Sequence, residues 1–411
     1  MKEILKDPVL IFLALSVVIS CTSLGGATIT ALVNIVTSVL IIMKDGVKPF
    51  RRRSLLLYMA FVIIVFVYSA FGKGNLSDST FKMLSFSFIS IVSVFMMSFH
   101  LKTLNIKQIK GLLSVAFIAL LFSIIGTTVV SFIEPWALRM YGFGHINGVA
   151  DLDLSSRYYS MGMMSYPLAH AMSVVAISLS VLFLRARSKS IKILSVVLLV
   201  LIIRILFVMT ITTTLLLTVI GVSIVFANYF SHGRTFIATS ITILIATIFF
   251  LSGFAVTFLD FSEGINEHIT VKLGDFFNYA QTGSTVGQVG TRGSLYMTSL
   301  KTFLSNPIFG FGSDNGSRVY IGEHSYLFDY LAYYGLFALL LFISWWKEFI
   351  SLKSLLSKNL RNYYYIAFIP FVALLFLKAV TVFGSLPFML LVFTQIVFLY
   401  LENQIKISKY G

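Results

Sequence analysis

Between residues 8 and 401 the chain returns twelve times to an apolar run of about the length that crosses a bilayer, and that recurrence decides what it can fold into. Hydrocarbon offers no water to exposed backbone groups, so a crossing segment must be a helix of roughly 20 mostly apolar residues. The runs lie near 8–22, 26–43, 54–71, 81–99, 111–131, 166–184, 193–209, 211–230, 235–258, 325–346, 363–381 and 386–401. They predict an all-α polytopic membrane protein, a single integral membrane domain over residues 1–411 with about twelve transmembrane helices. The first two runs also read as one helical hairpin turning at Gly25 and Gly26. Only 11% of the side chains are charged, where a soluble domain carries about 25%. A soluble enzyme, a disordered chain and a disulfide scaffold are therefore excluded. The lone cysteine, Cys21, permits no internal disulfide and no cysteine-based metal or redox pair, and it reads as a buried thiol of the first helix.

A net charge of +15 reports orientation rather than a nucleic-acid partner. With the N-terminus inside, the termini and the loops after spans 2, 4, 6, 8 and 10 collect 21 of the 31 Lys and Arg, against eight in the opposite loops. The positive-inside rule then places both termini in the cytoplasm, N-in and C-in. Two outer segments are long: 131–166, carrying Arg157, and 259–323, carrying Arg292. Long loops without secondary structure of their own are uncommon and usually functional. The second contains a Gly-rich stretch over 283–290 and a predicted helix from Ser294 to Leu304, with an apolar stripe of Leu295, Met297, Leu300, Phe303 and Leu304. Ser305-Asn306-Pro307 stops that helix, and a Gly310-Phe311-Gly312 turn follows.

The chain has no phosphate loop ending in Gly-Lys-Ser/Thr and no His-Glu-x-x-His, so energy must come from the substrate or a gradient. Asp151-x-Asp153 has metal-like spacing but reads as a solvated loop pair, and no metal or other cofactor is expected. Arg139, Arg157, Arg292 and Arg318 lie in the long outer segments. A guanidinium fork matches phosphate or pyrophosphate bidentately, although an arginine near a span end also snorkels to headgroups. Arg204 sits within span 7, where an ionised group is expensive and faces a cavity or a partner. Lys378, near the outer end of span 11, reads as a snorkelling residue. His324 starts span 10 with Ser325, Tyr326 and Asp329 close behind, a protonatable cluster at the outer mouth.

Four segments together carry a resemblance: Arg292-Gly293-Ser294-Leu295-Tyr296, Asn306-Pro307-Ile308-Phe309-Gly310-Phe311-Gly312, His324-Ser325-Tyr326-Leu327 and Tyr334-Gly335-Leu336-Phe337. This arrangement resembles the O-antigen polymerase and O-antigen ligase superfamily. There an Arg and an apolar helix, a Pro-x-x-Gly-x-Gly turn and a His-Asn/Ser-x-Tyr-Leu stretch ending in Gly-Leu span the large periplasmic loop and its return helix. Arg157-Tyr158-Tyr159-Ser160-Met161-Gly162 is similar to the family's earlier Arg-containing loop. The chain departs from the pattern at Tyr326, two positions after His324, and at Ala338. It departs again at Thr210-Ile211-Thr212-Thr213-Thr214, where many members read Ser-Arg-Gly; one family arginine is absent or replaced by Arg204.

The resemblance implies a GT-C-like glycosyltransferase of the bacterial inner membrane that needs no metal. It would polymerise undecaprenyl-diphosphate-linked repeats, of O-antigen or capsule type, at the periplasmic face. Membrane lipids and a chain-length regulator protein are the implied partners, with no nucleic acid. Arg157 and Arg292 would bind the diphosphate, joined by Arg318, and His324 would orient or deprotonate the acceptor. Tyr158, Tyr159, Tyr296 and Tyr326 would pack on sugar rings, with Arg204 a further substrate contact. Two alternatives stand beside this one: a ligase moving the glycan to lipid A core, and a lipid-linked oligosaccharide flippase. Transporters build sites near the bilayer midplane, whereas this chain concentrates its polar groups at the outer rim.

Overall fold

The computed structural model describes residues 3–22, 24, 26–71, 78–133, 157–209, 211–230, 288–311, 321–322, 324–378 and 385–410. Among these residues the protein is all-α. The helices are α1 (Pro8–Thr22), α2 (Gly26–Asp45), α3 (Arg53–Phe71), α4 (Asp78–Leu101), α5 (Ile106–Ile133), α6 (Tyr166–Arg185), α7 (Lys189–Val208), α8 (Thr212–Phe230) and α9 (Gln288–Ser305). After them come α10 (Tyr326–Tyr334), α11 (Ala338–Ile350), α12 (Lys358–Leu377), α13 (Ser385–Phe388) and α14 (Thr394–Tyr410). Eleven of the twelve expected runs coincide with helix; the run at 235–258 lies outside the described residues. Among the described residues, seven helical stretches are long and apolar enough to cross a membrane.

Burial sorts them into layers. The apolar windows of α6 and of the Ser385–Ile407 run are 83% and 94% buried, while those of α7 and α8 are only 33% buried. A helix apolar on every side must be surrounded by protein or lipid. So α6 and the C-terminal run form the centre, and α7 and α8 turn apolar flanks outward. Each central element carries small hydroxyls that bond across the interface: Ser178 of α6 meets Thr394 at 3.1 Å, and Gln395 Nε2 donates to Ser98 Oγ of α4 at 2.9 Å. Such polar pairs hold helices together where lipid is as apolar as leucine. The C-terminal run opens into a π-helical segment at Met389–Phe393, and the Thr394 hydroxyl donates to Met389 O at 2.9 Å there.

Two ends of the bundle are distinct. At one, Arg52 and Lys102 reach Glu348 at 2.8 and 2.9 Å, Asp45 meets His100 at 2.7 Å, Lys44 pairs with Asp7, and Arg185 donates to Tyr363 at 3.1 Å. At the other, Thr127 Oγ1 accepts from Met164 N at 2.8 Å, and Arg204 donates to Ser131 at 3.3 Å. Each pair joins segments that the basic-residue count puts on a common side, so the first end is called the basic end.

The tenth expected run differs from its reading as one helix. It breaks into α10, a 3₁₀ turn at Gly335–Phe337, and α11. The cause is Gly335, with φ 59° and ψ −147°, a conformation essentially confined to glycine. Breaking a helix frees backbone groups, and the Pro307–Phe311 turn satisfies them. Leu336 N donates to Pro307 O at 2.8 Å, and Phe311 N donates to Ala332 O at 3.0 Å. Gly310, at φ 68°, faces the break: a Cβ on it would lie 2.5 Å from Tyr333 O, and one on Gly335 would lie 2.3 Å from Ile308 O. Two sequence motifs thus meet backbone to backbone.

Candidate functional site

The turn after α9 is fixed against α10, and this brings the chemistry-bearing residues of both helices to the end opposite the basic one. Arg292, Tyr296 and Ser299 follow one another at helical spacing along α9, which begins at Gln288 rather than at the expected Ser294. Ser299 is buried and its hydroxyl works in both directions. It accepts from Gly322 N at 2.8 Å and donates to Asp329 Oδ1 at 2.6 Å. Asp329 Oδ2 accepts from Ser325 N at 3.1 Å, while Ser325 caps α10 by accepting from Phe328 N at 3.4 Å. Helix cap, α9 and the strand of chain before α10 therefore share one buried carboxylate, which completes a variant of the capping box.

The end of α12 closes the third side. Its last carbonyls have no helical partner. Leu377 O accepts from Tyr296 Oη at 2.9 Å, Lys378 O from Tyr326 N at 3.0 Å, and Leu375 O from Ser325 Oγ at 3.4 Å. Burial raises the Tyr296 phenol above its ordinary range, with Asp329 adding to the rise and Arg292 opposing it. Arg292 is thus near enough to act on Tyr296, and no carboxylate among the described residues pairs with it. His324 is exposed at the rim, and its Nδ1 lies 3.0 Å from Gly322 O. A carbonyl can only accept, so Nδ1 carries a proton, and in the neutral ring Nε2 is then the nitrogen with the lone pair.

The remaining expected site residues fall elsewhere. Arg157 is exposed on a helical turn at residues 157–160, where its carbonyl accepts from Met161 N and Ser160 Oγ. Among the described residues it bonds neither Arg292 nor His324. Tyr158 packs against the apolar core, and Tyr159 is buried. Tyr326 is buried too, its ring stacked on Tyr330 at 4.1 Å in a column that continues to Tyr334. Arg204 lies near the end of α7, bonded to Ser131, with its guanidinium 4.3 Å over the Phe132 ring. Arg318, Arg139, Asp151, Asp153 and most of the two long outer segments lie outside the described residues.

The structure also adds residues that sequence reasoning passed over. His170 is one of them, buried in α6 and hydrogen-bonded to Thr214 of α8. Lone polar residues inside apolar runs carry no local pattern that would link them. Ser299 was readable, because with Arg292 and Tyr296 it forms a polar stripe at i, i+4 and i+7. The apolar stripe beside it masked that signal.

Chemically, this end offers the Arg292 guanidinium on α9, the His324 imidazole bonded to Gly322 O, and the Tyr296 phenol bonded to Leu377 O. No family model matches this chain. No curated protein matches it either.

Proposed function

We propose that the chain is a membrane glycosyltransferase that polymerises undecaprenyl-diphosphate-linked oligosaccharide repeats at the end of the bundle opposite the basic one. The observation that carries the reading is the convergence of Arg292, Tyr296, His324 and Asp329. Two segments about 30 residues apart in sequence are joined through Ser299–Asp329 into one rigid rim. The basic-residue count supports placing this end at the outer face, where the proposed joining of lipid-linked repeats would occur.

In the proposed reaction an acceptor hydroxyl attacks the anomeric carbon of the donor. The new glycosidic C–O bond forms as the bond to the diphosphate oxygen breaks, and undecaprenyl diphosphate leaves with the electron pair. His324 Nε2 takes the hydroxyl proton, a task its tautomer permits because Nδ1–H is committed to Gly322 O. Arg292 holds the departing diphosphate by its planar fork, stabilising charge that grows in the transition state. A part for Arg157 and Arg318 in holding the diphosphate rests on the resemblance alone, since Arg157 lies apart from Arg292 and Arg318 falls outside the described residues.

Polymerisation of purified lipid-linked repeat by Arg292 variants tests this. Arg292→Ala should abolish long chains while the protein still reaches the membrane, and Arg292→Lys should restore part of the activity, because it keeps the charge without the fork. An Ala variant with full activity removes the diphosphate role.

A further inference from the structure

At the basic end, the start of α3, the end of α11 and the start of α12 border an open surface pocket of about 550 Å³ lined by Arg52, Arg53, Lys347, Lys353, Arg361 and Glu348. Its charges do not balance. The single carboxylate is fully engaged: Glu348 Oε1 accepts from Arg52, from Lys102 behind the pocket and from Ser98 at 2.6 Å, while Oε2 accepts from Ser54 at 2.6 Å. Among the described residues, Arg53, Lys347, Lys353 and Arg361 pair with no carboxylate at all. Arg361 Nε donates only to Leu356 O at 3.0 Å, and Lys353 lies 6.0 Å from the Tyr365 ring. The hydroxyls of Ser351 and Ser354 share the same wall.

Cations gathered in a concavity repel one another, and basic excess alone explains their side of the membrane but not their convergence on one pocket. Arg52 is held in place by its pair with the buried Glu348, and Lys347 and Arg361 are half-buried along the same concavity, with Arg53 and Lys353 exposed at its edge. We propose that this pocket binds a phosphate-bearing anion, with the two unpaired arginines supplying bidentate contacts and the lysines and hydroxyls completing the shell. The phosphate is carried either by a lipid headgroup of the adjoining leaflet or by a small soluble molecule. The site is independent of the glycan chemistry at the opposite end.

The test measures binding of dioctanoyl phosphatidate and of inorganic phosphate to the full chain in neutral detergent. Three forms are compared: the natural sequence, the triple variant Arg53→Gln/Lys347→Gln/Arg361→Gln, and a control, Lys107→Gln/Lys110→Gln/Lys189→Gln, which removes equal charge from exposed positions on the same side. Each pocket cation should contribute about fivefold, and the pocket triple variant should bind roughly a hundredfold more weakly. The control should lose much less, and melting temperatures should show all three folded. Phosphatidate binding without phosphate binding assigns a lipid headgroup, and the reverse assigns a soluble anion. Equal losses in the two triple variants, or no binding of either probe by the natural sequence, would overturn the proposal.

Discussion

Replacing Asp329 removes the group on which the proposed catalytic rim converges, and the structure sets the size of the effect. Its two oxygens accept from Ser299 Oγ at 2.6 Å and Ser325 N at 3.1 Å, and the side chain is buried. Hydrogen bonds to a charged acceptor contribute about 1.5–3 kcal/mol each, and buried donors left without a partner cost a comparable amount. Asp329→Ala should therefore destabilise the protein by roughly 3–6 kcal/mol. Asp329→Asn keeps one carbonyl oxygen for Ser325 N. Its amide would then face the Ser299 hydroxyl, which already accepts from Gly322 N and would lose its own acceptor. About half the Ala cost is expected. Reversible unfolding in mixed micelles gives both values, and a double-mutant cycle with Ser299→Ala isolates the shared bond, whose coupling should exceed about 1 kcal/mol. A silent Asn variant, or additivity of Asp329→Ala with Ser299→Ala, would refute the frame.

Further predictions concern the break, the orientation and the base. Gly335→Ala puts a Cβ 2.3 Å from Ile308 O in a conformation that only glycine adopts readily. It should cost at least about 2 kcal/mol by the same unfolding assay, and a neutral effect would contradict the backbone geometry at the break. Reporters fused after Arg53 and Arg187 should read cytoplasmic and one near Gly287 periplasmic; the opposite signals would reverse the assignment of ends. For the base, His324→Ala should lower the polymerisation rate steeply at neutral pH with donor still bound. His324→Asn restores a side-chain donor to Gly322 O but no base, so an active Asn variant would leave His324 with only a structural role.

Hydropathy alone predicted most of the helices, because a bilayer-length apolar run has few ways to satisfy its backbone. It missed the break at Gly335, since Tyr334-Gly335-Leu336 is apolar throughout and only the Pro307–Phe311 turn, from a different segment, makes the irregular backbone affordable. Glu348 was equally opaque. It follows Trp345, Trp346 and Lys347 at a span end, and nothing local says that Arg52, Ser54, Ser98 and Lys102 arrive around it. In the rim, His324 and Arg292 stood out as polar residues beside apolar helices. The carboxylate that ties their segments together was noticed as a neighbour of His324, while its partner Ser299 was not, because serines in apolar helices are common and their bonds are long-range.

The proposed joining of lipid-linked repeats is tested most directly by incubating the purified protein with a synthetic undecaprenyl-diphosphate-linked repeat and no nucleotide or added metal. A ladder of glycans growing by whole repeats is expected, with one undecaprenyl diphosphate released for each linkage formed. Intact donor after prolonged incubation, with the protein folded and the cognate repeat supplied, would contradict it.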